Sequence, residues 1–137
     1  MKQLSVGIYN LFTGSAFATD IGNRFYKGQG PVSATYPYCV YLLPTDIPEY
    51  TFSEIYETVM VQFSIFSSAA SSTEIEDALT HLKALYDDCA LSVTGYTTVW
   101  MRRTGGTLPG KEEHTTPAGT TSVWVAHSEY EIYLSKD

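Results

Sequence analysis

The sequence predicts an α+β fold: a mostly antiparallel sheet, one long amphipathic helix and a short N-terminal helix packed on it, plus a long looped β-hairpin. Three observations carry this. From Glu54 to Phe66, Val59, Val61, Phe63 and Ile65 alternate with Thr58, Met60, Gln62 and Ser64, the period-two signature of a strand with one buried face. From Thr73 onward, Ile75, Ala78, Leu79, Leu82, Leu85, Tyr86 and Cys89 fall on one arc of a helical wheel. The order helix, strands, helix, strands does not alternate as a parallel α/β chain would.

The elements follow in order. Leu4, Ile8, Leu11 and Phe12 share a helical face, and Thr13-Gly14-Ser15 ends that helix. Residues 20 to 37 carry three Gly and two Pro and read as loop-rich. Tyr38 to Leu43 reads as a buried strand closed by Pro44, with Pro44 and Pro48 bracketing a turn. After the strand over 54–66 comes a small-residue loop. Thr73 then starts the main helix, with Glu76 completing a capping box. Leu91-Ser92-Val93 reads as a short strand and Thr94-Gly95 as a turn, followed by strands over 96–103 and 121–134. Between these two, Thr104 to Thr120 has four Gly, two Pro and no hydrophobic period. It reads as a mobile loop, either a functional arm that orders on a partner or a passive hairpin tip.

At 137 residues the chain fits a single domain over 1–137, with enough apolar residues (44%) for a core. Its net charge of −7 argues against nucleic-acid or anionic-membrane binding, since both need a basic patch. It is compatible with DNA sliding past without sticking. With no apolar run of 18 residues and no signal-peptide stretch after Met1, the expectation is a protein made and kept in a cytoplasm. Eleven Tyr hint at association.

Catalytic constellations are absent from the pattern. His81, His114 and His127 lack metal-ligand spacing, and no HExxH, CxxC or GxSxG occurs. Gly28-Gln29-Gly30 lacks the Lys of a phosphate loop. Cys39 and Cys89 sit in apolar patterns and read as buried free thiols. No cofactor, metal or catalytic residue is expected. Asp87 and Asp88 sit in the last turn of the main helix, where acid opposes the dipole. They are tolerated in solvent or answered by a basic partner. Arg102-Arg103 either grips an acidic neighbour or ends a strand in solvent. With Leu108, Lys111, Glu112 and Glu113 in the loop, these are the candidate protein-interface residues.

Three stretches carry a resemblance. They are 23–31 (NRFYKGQGP) running on to 36–41 (YPYCVY), 54–57 (EIYE) leading into 61–66 (VQFSIF), and 84–89 (ALYDDC) followed by 91–96 (LSVTGY). Together they resemble the tail-terminator (tail-completion, neck) proteins of long-tailed bacteriophages. The resemblance implies a virion structural protein without enzymatic activity, at the tail–neck junction after passage through the host cytoplasm. It implies a homo-oligomer, typically a hexameric ring, on the head-proximal end of the tail tube. There it ends tube growth and presents a surface for head attachment. Implied partners are the major tail tube protein and a head-side connector; DNA passes through unbound. The other readings are a head–tail connector or head-closure protein, and a small cytoplasmic ligand-binding domain or enzyme.

Overall fold

A computed structural model describes residues 1–31, 34–117 and 119–137. Its elements are α1 (Lys2–Phe12), α2 (Ala16–Asp20), β1 (Phe25–Lys27), β2 (Tyr38–Tyr50), β3 (Ile55–Ser67), α3 (Thr73–Tyr86), β4 (Tyr96–Thr116) and β5 (Gly119–Lys136). The five strands form one sheet in the order β1-β2-β3-β5-β4, and only the short β1–β2 pair is parallel. The fold is therefore α+β, with a mostly antiparallel sheet and a few short helices.

The alternation in β3 does what its period requires. Val59, Val61, Phe63 and Ile65 are buried beneath the helices, joined across the register by Tyr130, Ile132 and Leu134 of β5 and by Cys39 and Tyr41 of β2. From α3, Ile75, Ala78, Leu79, Leu82 and Tyr86 enter this core, and the Tyr86 ring stacks on Phe63 at 4.7 Å. From α1, Phe12 stacks on Phe25 at 4.3 Å, which stacks on Tyr41 at 4.7 Å. Gly7 lets α1 press against the chain after α3, because a Cβ there would lie 2.5 Å from the Ser92 carbonyl oxygen.

Several elements differ from the sequence expectation, each for a physical reason. Residues 104–120 are not a loop: β4 and β5 pair through them to Thr116 and Gly119. Ala118 lies outside the described residues. Of the Gly and Pro that read as breakers, Gly105, Gly106, Pro109 and Gly110 sit at or beside register shifts, between Arg103 and Gly105 and between Thr107 and Gly110, while Pro117 and Gly119 lie at the hairpin turn. The first four bend an edge strand without ending it. Pro44 likewise falls in a shift between Leu42 and Thr45, so β2 runs on to Tyr50. Pro48 remains paired with Glu57, so its nitrogen must turn to the unpaired side. The loop-rich stretch holds β1 and the end of α2, whose first turn is capped by the Ser15 hydroxyl accepting from the Ala18 amide at 3.1 Å. Residues 91–93 contribute only an isolated bridge, Val93 to Tyr96. No capping box forms at Thr73: Ser72 is the N-cap, and the Ser71 hydroxyl accepts from the Thr73 amide. The helix ends at Tyr86, before Asp87, Asp88 and Cys89.

Candidate assembly surfaces

The end of α3 shows what the two acids do. Asp87 is the C-cap residue, already extended at ψ 120°, so its carboxylate leaves the helix axis and meets β4 and β5. Arg103 donates to it from Nε at 3.2 Å and from a terminal nitrogen at 3.1 Å, and the Tyr130 hydroxyl donates to Oδ1 at 2.5 Å. The Asp87 hydrogen bond raises the affinity of the Arg103 guanidinium for its proton. Burial first, and then Asp87, push the Tyr130 hydroxyl up. Of the open readings for Asp87 and Arg103, the one with a partner in the same chain holds. Asp88 stays exposed at φ 52°, its amide donating to the Met101 carbonyl at 3.0 Å.

Arg102 points to the opposite face of the sheet. Its guanidinium lies 3.9 Å over the Trp100 ring, Trp100 stacks on Tyr133 at 4.4 Å, and Tyr133 stacks on Tyr56 at 5.2 Å with the planes 3° apart. This row of three rings under a cation crosses β4, β5 and β3 on the side away from the helices. Lys111 lies 5.0 Å over Trp124. Glu112 contacts His114 at 2.6 Å, and the other ring nitrogen of His114 meets the Tyr36 hydroxyl at 3.0 Å. The β4–β5 hairpin is thereby clamped to the segment before β2. Glu113 is exposed and Leu108 is 80% exposed. The eight predicted residues thus divide. Asp87 and Arg103 are joined internally, Arg102, Lys111 and Glu112 brace neighbouring side chains, and Asp88, Leu108 and Glu113 face solvent.

Sequence reading missed the tip of the β2–β3 hairpin. There Ile47, Tyr50 and Phe52 are exposed, Phe52 completely. The signal was present as two aromatic residues, Tyr50 and Phe52, between the turn read at 44–48 and the strand read from Glu54. Surface grooves of about 170 to 350 Å³ lie along β4, and one of about 130 Å³ crosses β2, β3 and β5. Among the described residues, no three His, Cys, Asp or Glu gather as metal ligands, and no helix is long and apolar enough to cross a membrane.

No family model and no curated protein matches the sequence. Among solved structures, the fold is similar to a chain from the virion of a native gene transfer agent particle. The TM-score is 0.69 at 11% identity, over 93% of this chain and 91% of that one. A second solved chain aligns over 93% of this one and 94% of its own length, at 13% identity and TM-score 0.45. The first likeness is one of fold, across nearly the whole of both chains.

Proposed function

We propose that this chain is a structural protein of a tailed phage or phage-like virion. In this reading it sits as a ring on the head-proximal end of the tail tube, ends tube growth and offers a surface to the head connector. The supporting observation is the near-complete fold likeness to a chain of a gene transfer agent virion. The surface chemistry agrees with it. Two hairpins carry exposed apolar side chains at their margins, Phe52 on one and Leu108 on the other. A ring needs such separate patches, because each copy must offer its neighbour a different surface from the one it receives. The net charge of −7 suits a channel that DNA crosses without being held. The reading gives the chain no catalytic role.

The test is removal of the gene from the genome that encodes the particle, followed by electron microscopy. Tails of uncontrolled length, unattached to heads, are expected. Tails of normal length on filled heads would overturn the reading. Tails of normal length without heads would assign the chain to the connector instead.

A further inference from the structure

On the open face of the sheet, each ring of the Trp100–Tyr133–Tyr56 row gives its polar hydrogen to a carboxylate. Trp100 Nε1 donates to Glu131 at 3.3 Å, the Tyr133 hydroxyl to Glu49 at 3.2 Å and the Tyr56 hydroxyl to Glu54. Tyr133 is the cross-strand partner of Thr58, which puts Tyr56 at the diagonal position on the same face. The two phenol rings lie 5.2 Å apart and 3° from parallel. Both rings are half-buried, and both hydroxyl bonds lie at the surface.

Other tyrosines of the described residues lack one part of this arrangement. Tyr36 and Tyr38 are 5.3 Å apart but tilted by 48°, and the Tyr36 hydroxyl meets His114 instead of a carboxylate. Tyr86 and Tyr130 are closed off in the core. Tyr50 is 72% exposed but has no ring stacked on it.

We propose that Tyr56 and Tyr133 are a site of oxidative cross-linking, at which a one-electron oxidant couples the two rings into a dityrosine that ties β3 to β5. A peroxidase intermediate and a photogenerated ruthenium(III) complex are oxidants of that class. Each phenol gives one electron to an oxidant molecule and its hydroxyl proton to the carboxylate that already accepts it, Glu54 or Glu49. The two phenoxyl radicals join through the ring carbons ortho to oxygen. The hydrogen on each of those carbons then moves to its oxygen and restores both phenols. The net loss is two electrons and two protons. A partner held alongside in the same chain outcompetes one that must arrive from another copy. The site lies within one chain, so it is independent of the ring reading.

The test illuminates the full chain, dilute enough that copies rarely meet, with ruthenium(II) tris-bipyridine and persulfate. Cleavage after Glu, Lys and Arg then frees 55–57 (IYE) and 132–136 (IYLSK), each with one tyrosine. Dityrosine fluorescence should travel with these two peptides joined. Tyr56→Phe and Tyr133→Phe should each abolish the joined pair, with far-UV circular dichroism checking that both variants fold. E49Q combined with E54Q should slow the rise of fluorescence, because an amide does not take the proton. Linkage through Tyr50 would show that exposure alone selects the residues, and would overturn the proposal. So would fluorescence unaltered by either Phe variant, an unchanged rate in the amide variant, or oxidation without the joined peptide.

Discussion

The Tyr86 hydroxyl donates to the Ile8 carbonyl oxygen at 2.9 Å, fully inside the core, and so ties the end of α3 to the middle of α1. The same ring stacks on Phe63 of the sheet, so one side chain joins three elements. Tyr86→Phe keeps the stack and removes the bond. It should cost about 0.5–1.5 kcal/mol, the net worth of one intramolecular hydrogen bond. Urea unfolding measures it, and an unchanged midpoint would show the bond contributes nothing.

Leu82 is wholly buried between α3 and the sheet. Leu82→Ala removes apolar contact and leaves a cavity, at a cost of about 2–5 kcal/mol. The loss should appear as a lower denaturation midpoint with an unaltered slope.

Gly7→Ala sets two effects against each other. Within a helix the change gains about 1 kcal/mol from propensity. Here the new methyl group would meet the backbone oxygen of Ser92 at 2.5 Å, and backbone cannot swing aside. Overpacking of this kind costs about 1–3 kcal/mol. The variant should be destabilised, and a higher melting temperature would show that the α1 contact is looser than described.

Glu57 sits with one carboxylate oxygen buried and unpartnered, while the other accepts from the Tyr96 hydroxyl at 3.3 Å. Burial first, and the charge of Asp46 next, push its carboxyl up. The native state therefore holds the Glu57 proton more tightly than the unfolded chain does. Its contribution is fully present below the ordinary carboxylate range and is lost as pH rises through the raised value. Glu57→Gln removes the charge, so the variant should gain on the wild type between pH 4 and pH 7. Melting curves at both ends check the sign, and parallel curves would refute it.

The two thiols should differ in reactivity. Burial pushes Cys89 up to about 11 and Cys39, wholly inside, further still. A thiol of that kind is about one part in a thousand thiolate at pH 8, which slows Cys89 against a free cysteine. Cys39 should label only on unfolding. Stopped-flow labelling with a disulfide reagent separates them, and fast reaction of both in the native protein would contradict the burial.

The parts legible in the sequence were those where side-chain period and burial coincide. The alternation at 58–65 and the apolar arc of Ile75, Leu79, Leu82 and Tyr86 are each set by a single buried face, so local spacing reports them. The β4–β5 hairpin was not legible, because its Gly and Pro mark bends in an edge strand and its pairing partner is far along the chain. Thr107, Thr115, Thr120 and Thr121 on facing strands were the available sign, since β-branched residues favour a pleated surface. The partner of Asp87 lies 16 residues on in Arg103, joined by Tyr130 another 27 beyond. Only the fold brings the three together. The Phe52 tip was hidden by its prolines, which suggested a turn where the strand continues.

Those prolines also govern what the protein cannot become. A strand recruits another by offering an uninterrupted ladder of amide donors. Beyond Tyr41, the outer margin of β2 has no strand partner among the described residues, yet Pro44 and Pro48 break its ladder. The longest proline-free run between them is Thr45 to Ile47, well short of the six or seven residues that seed a cross-β fibril. Newly made copies therefore cannot template one another through the backbone of this margin. Association along it is left to side chains, which can let go and try again until the fit is right.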